Sequence, residues 1–131
     1  MASIHKDIVI DAPASDVWDA LRDVGAVHRR LTPGVVTDTR LEDGARIVTF
    51  ANGLVARELI VDVDDERKRL AYAAVGGRVT HHHASMQVFA DGAQRSRFVW
   101  IADVLPDALA APIGELMEQG IAAMQRTLRR A

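Results

Sequence analysis

The densest run of chemically capable side chains is His81-His82-His83. Imidazole titrates near neutrality and serves as metal ligand, acid or base. The surrounding segment, Val79 to Phe89, alternates as a strand does, so its side chains point by turns to two faces. His81 and His83 then share one face, with Cα atoms roughly 6–7 Å apart, while His82 points to the other. One ion cannot collect all three, and no carboxylate at strand or helix spacing completes a zinc set. The sequence therefore predicts no metal and no cofactor. The set His82, Ala84, Met86 and Val88 is apolar apart from its histidine, whereas His81, His83, Ser85 and Gln87 are mostly polar. His82 is thus predicted inside and its two neighbours in solvent. The same test turns Leu70, Tyr72 and Ala74 inward. An interior imidazole beside a phenol can move a proton as a general acid or base. The plainer reading, a histidine satisfied within the core or hydrogen-bonded to a ligand, is preferred. Ser3, Ser15, Ser85 and Ser96 lack a G-x-S-x-G context, and the absence of cysteine excludes thiolate nucleophiles, disulfides and thiolate metal sites. Gly76-Gly77 has no Lys-Ser/Thr after it and reads as a turn rather than a phosphate loop.

Other strands supply walls for the same interior. Phe98, Trp100, Ala102 and Val104 share the aromatic face of theirs. On Leu54 to Val63, the apolar set is Val55, Arg57, Leu59, Val61 and Val63, which points Arg57 inward; a single β-bulge would exchange it for Glu58. The expected cavity therefore has Tyr72, His82 and Arg57 as its polar groups and Phe50, Met86 and Trp100 as wall. Ile113, Met117 and Ile121 close it from a helix. An apolar pocket with a few orienting polar groups is the usual makeup of a small-ligand site. Trp18, at helical spacing with Val17 and Leu21, reads as core. Arg29 or Arg30 could meet a ligand carboxylate, but a solvated face is the preferred reading.

The elements that must position these residues follow from turn signals and periodicity. Ile8-Val9-Ile10 ends a first strand, broken by Asp11-Ala12-Pro13. Ser15 is placed to cap a helix carrying Val17, Trp18 and Leu21. A second short helix covers Ala26 to Leu31 and stops at Thr32-Pro33-Gly34. Strands are then predicted over Val35–Leu41, Arg46–Ala51, Leu54–Val63, Arg69–Val75, Val79–Phe89 and Arg95–Leu105, each closed by a Gly, Asp or Asn turn. Asn52-Gly53 is the strongest hairpin signal among them. Asp107 is placed to cap a last helix whose apolar face is Leu109, Ile113, Leu116, Met117, Ile121, Met124 and Leu128. Hairpin-linked strands are antiparallel, and a sheet this long curls. Its concave face needs an apolar cover, and the C-terminal helix is the one long amphipathic element left. The predicted architecture is α+β: a seven-stranded curved antiparallel sheet gripping that helix, in one domain over residues 1–131.

Bulk properties narrow the partners. The chain has 131 residues, 49% of them apolar, and a formal net charge of -2. No basic block offers a nucleic-acid footprint. Arg126, Arg129 and Arg130 read as cations at the negative end of a helix. No run approaches the roughly 20 apolar residues of a membrane span, and no apolar leader opens the chain, so the expected compartment is the cytoplasm.

Asp11-Ala-Pro-Ala-Ser-Asp-Val-Trp-Asp-Ala-Leu and Leu31-Thr-Pro-Gly-Val resemble the opening of the polyketide cyclase/dehydrase and lipid transport family, within the START-related, Bet v 1-like (SRPBCC) superfamily. Arg46-Ile-Val-Thr-Phe-Ala-Asn-Gly, Val75-Gly-Gly, Thr80-His-His and Trp100-Ile-Ala-Asp-Val-Leu-Pro-Asp agree in order and spacing. The resemblance implies the helix-grip fold over the whole chain. It implies no single activity, since members include cyclases, hydrolases, lipid carriers and hormone receptors. Three readings follow: a binder of a small hydrophobic or aromatic molecule, polyketide- or lipid-like; a cyclase or dehydrase with His82 and Tyr72 as proton-transfer groups; and a non-catalytic module that pairs as a homodimer through a sheet edge. The first is preferred.

Overall fold

The computed structural model describes residues 1–129. Strand β1 (Ala2–Ile10) is followed by helix α1 (Ala14–Arg22) and a π-helical turn at Val27–Leu31. Six strands come next: β2 (Val36–Glu42), β3 (Ala45–Phe50), β4 (Val55–Asp64), β5 (Arg69–Val75), β6 (His81–Ala90) and β7 (Ser96–Leu105). A 3-10 turn, Asp107–Leu109, leads into α2 (Ala110–Leu128). The seven strands form one antiparallel sheet in the order β1-β7-β6-β5-β4-β3-β2. This is the helix-grip arrangement, with strand bounds within two residues of those predicted.

The turns set the register. Phe50 and Leu54 close the β3–β4 hairpin, with the Phe50 N–H donating to the Leu54 carbonyl at 2.8 Å. Gly53 takes φ +90°, where a Cβ is strained, and the Asn52 side chain accepts from the Leu54 N–H at 2.9 Å. Arg46 is thereby set opposite Glu58, and Val48 opposite Ala56. Register shifts at Val36/Asp38 and Ile60/Asp62 mark bulges on β2 and β4, the devices that bend a sheet.

Packing fills one end of the concave face. Phe98, Ile10, Leu21, Leu70, Met124 and Val17 are almost fully buried there, with α1 folded against them. The aromatic face of β7 points inward as expected, and Trp18 is buried in this core. From α2, Met117, Ile121, Ala123 and Met124 are buried. Gly120 lets the Trp100 indole lie against the helix: a Cβ there would sit 3.4 Å from the ring.

Two predicted caps are not formed. The α1 N-cap is Pro13, two residues earlier than Ser15 would place it, and no side chain caps the helix. Its carbonyl accepts from the Asp16 and Val17 N–H groups instead. Asp107 enters a 3-10 turn rather than capping α2, and no side-chain cap forms there either. At the other end Arg126 lies in the last turn of α2, and Arg129 follows it. Arg130 lies outside the described residues. No helix among the described residues is long and apolar enough to cross a membrane.

Candidate functional site

Beyond the packed end, the sheet and α2 stay apart and enclose a cavity of about 370 Å³. Met86, Trp100, Met117 and Gly120 line it where the core begins, and Val48, Phe50 and Ile113 form its sides. The π-helical turn contributes Val27 and Leu31. The lining also includes Leu54, Val55, Val75, Gly76, Gly77 and Arg78, all exposed, which marks the mouth between the β3–β4 hairpin and the β5–β6 loop.

Inside the mouth, Tyr72, His82, Arg46 and Glu58 face this space in two layers. Tyr72 is 4% exposed, and its hydroxyl accepts from the Trp100 indole N–H at 3.0 Å. Burial, and then the Glu58 charge, push its phenol far above the ordinary range; Arg46 and the indole bond only partly oppose this. His82 lies beside it, with ring centroids 5.8 Å apart. The β5–β6 ladder is paired from Arg69↔Gln87 to Tyr72↔Ala84 and stops there, before Ala74 would meet His82. The strands part at that point, and the Ala74 N–H donates to His82 Nδ1 at 2.9 Å. The imidazole thus replaces a missing ladder bond, which a buried N–H needs. With Nδ1 accepting, the neutral ring carries its proton on Nε2. Burial holds His82 below its ordinary value, and His83 and His81 add to this while Glu58 opposes it.

The second layer is an ion pair. Arg46, 3% exposed, donates from Nε to Glu58 Oε1 at 2.7 Å, with Glu58 12% exposed. The guanidinium also stands 5.2 Å from the centroid of the Tyr72 ring, a cation–π distance. Arg46, Glu58, Tyr72 and Trp100 therefore form one connected polar group in an otherwise apolar wall.

Several sequence-predicted residues line the cavity: Phe50, Tyr72, His82, Met86, Trp100, Ile113 and Met117. Two do not. Arg57 faces outward, half exposed, with Nε 3.5 Å from Glu42 on the convex side. The reason is the bulge at Val61, which splits the apolar set of β4: Arg57 and Leu59 point out, while Val63 sits opposite inward-facing Leu70. Glu58 takes the inward place, held by Arg46 across the hairpin. Ile121 is 4% exposed within the packed core and does not line the cavity. Sequence reasoning missed Arg46 as a wall residue. The signal was the hairpin at Asn52-Gly53, whose register sets opposite charges face to face at 46 and 58, a favourable cross-strand pair. Arg30 is tied to Asp19 and Asp23 at 2.6 and 2.9 Å, and Arg29 is exposed; neither lines the cavity. His81 is exposed, and His83 lies on its side of the strand, away from His82.

The profile of the family described as polyketide cyclase / dehydrase and lipid transport matches residues 1–131. No curated protein matches the sequence. Among solved structures, a protein of Thermobifida fusca is 26% identical with a TM-score of 0.79, covering 95% of this chain and 91% of that one. A START superfamily protein of Mycobacterium smegmatis is 13% identical with a TM-score of 0.80, covering 96% of each chain. Norcoclaurine synthase of Thalictrum flavum, solved with dopamine and hydroxybenzaldehyde, is 20% identical with a TM-score of 0.71 and covers 95% of this chain and 84% of that one. The last two likenesses bear on the fold alone.

Proposed function

The chain belongs to the polyketide cyclase/dehydrase and lipid transport family, and on that premise we propose that it binds a small hydrophobic or aromatic molecule between sheet and helix. The observation that carries this reading is the cavity itself: about 370 Å³ of mostly apolar space, open at one end, within the size range of small-ligand pockets. Its polar groups suit a ligand with an oxygen acceptor. Tyr72 Oη already accepts from Trp100, so its O–H is left to donate, and His82 presents Nε2–H. A carbonyl or ether oxygen placed between the two rings would receive both. Native mass spectrometry of protein from its own host is the direct test, with titration of the neutral fluorophore N-phenylnaphthylamine beside it. We expect a small-molecule adduct and a saturable, blue-shifted emission. Protein that carries no adduct and leaves the fluorophore unchanged would remove the reading.

The 5.8 Å approach of Tyr72 and His82 supports a second reading, a cyclase or dehydrase. In that case both groups begin as donors. They would polarise a carbonyl, and His82 would act as a base only after giving up its bond from Ala74. Turnover of a poly-β-ketone that His82→Ala abolishes, with binding retained, is the expected result for catalysis. No turnover by the intact protein would rule it out for that substrate.

A further inference from the structure

We infer that Arg78 is the recognition point for an anionic group, so that the cavity's ligand is an amphipathic monoanion held with its carboxylate at the mouth. This rests on the binding reading above and adds the class of ligand. The charged side chains that line the cavity are Arg46, Glu58 and Arg78. Arg46 and Glu58 neutralise each other at 2.7 Å. His82, whose Nδ1 accepts from the Ala74 N–H, is neutral in that arrangement. Arg78 has no carboxylate partner among the described residues, unlike Arg22, Arg30, Arg40, Arg57, Arg95 and Arg97 elsewhere on the surface. The lining therefore carries one uncompensated positive charge, and it stands at the rim.

The position fits the task. Arg78 follows Gly76 and Gly77, both with positive φ (83° and 65°), in the loop that spans the gap between β5 and β6. Around it the rim is apolar: Leu54, Val55 and Val75 are 53%, 60% and 40% exposed. A ligand entering past these residues buries its apolar body against Met86, Trp100 and Met117. Its charged end would stop where water remains available, so the carboxylate keeps part of its hydration and meets a guanidinium that can hold it by two N–H bonds. A carboxylate driven to the inner end would instead face Glu58 and lose its water, at a cost of several kcal/mol per buried ion. Charge and desolvation thus orient the ligand the same way.

The test compares pyrenebutyric acid with its methyl ester, titrated by fluorescence into the intact protein, Arg78→Gln and Arg29→Gln. Arg29 is an exposed arginine that does not line the cavity, so it reports general surface charge. We expect the acid to bind the parent about fivefold tighter than the ester, or about 1 kcal/mol at 1.4 kcal/mol per tenfold. The preference should vanish in Arg78→Gln and persist in Arg29→Gln. It should also shrink as salt rises, because the rim is exposed to screening. Equal affinities in the parent, a preference that survives Arg78→Gln, or an equal loss in Arg29→Gln would each overturn the inference. If the ester still binds in those cases, only the role of Arg78 falls. If neither compound binds the parent, the cavity reading falls with it.

Discussion

Replacing Arg46 with Met tests whether the cavity wall is held by its ion pair. The guanidinium is 3% exposed, 2.7 Å from Glu58 and 5.2 Å from the Tyr72 ring centroid. Met keeps most of the stem volume and removes the charge. What is left is a carboxylate that is 12% exposed with no cation to answer it. Breaking a buried pair from one side costs about 3–5 kcal/mol. Glu58 borders a cavity that water can enter, so the lower end, about 3 kcal/mol, is expected. For a chain of this length that corresponds to a melting midpoint lower by about 11 °C. Urea unfolding followed by tryptophan fluorescence gives the free energy, with an unchanged slope confirming that stability alone has moved. The paired change Arg46→Met with Glu58→Leu removes both charges. It should recover to within about 1 kcal/mol of the parent, because an apolar pair of similar volume replaces the ions at little net cost. A loss below about 1 kcal/mol in Arg46→Met, or a double variant whose loss is the sum of the singles, would show that the two charges are not energetically coupled.

The remaining expectations concern His82 and α2. His82→Ala leaves the Ala74 N–H without its acceptor where the ladder ends, and should cost about 1–3 kcal/mol in urea unfolding; no loss would mean that water replaces the ring freely. Burial holds His82 below its ordinary value of 6.5, so the unfolded chain takes up this proton first as pH falls. The contribution is complete above about 6.5 and is lost as pH drops below it, so stability should rise with pH across that lower window. His82→Ala should remove that part of the slope, and identical pH profiles for parent and variant would contradict the assignment. Gly114→Ala adds a methyl 3.9 Å from Ile4, an ordinary contact, within α2. It should raise stability by about 0.5–1 kcal/mol through helix propensity, and a lower melting midpoint would show that the helix needs the glycine.

Much of this molecule follows from local rules. Alternation on β6 and β7 sets His82, Met86 and Trp100 on one face, because side-chain direction in a strand is fixed by its pleat. Periodicity in the last helix marks Ile113 and Met117 as its inward stripe for the same kind of reason. Turn chemistry at Asn52-Gly53 fixes a hairpin whatever surrounds it. Three features depend instead on parts of the chain distant in sequence. The bulge at Val61 is set by how β4 must bend to meet β5, and together with the β3–β4 register it puts Glu58 rather than Arg57 into the wall. The end of the β5–β6 ladder beyond Tyr72↔Ala84 opens the mouth and turns His82 from a free imidazole into a backbone acceptor. The depth of packing at Trp100 and Gly120 decides where core ends and cavity begins, which assigns Ile121 to one and Met117 to the other. Each is a compromise between sheet curvature and close packing, energies shared among residues far apart in the chain, and no local stretch of sequence contains them.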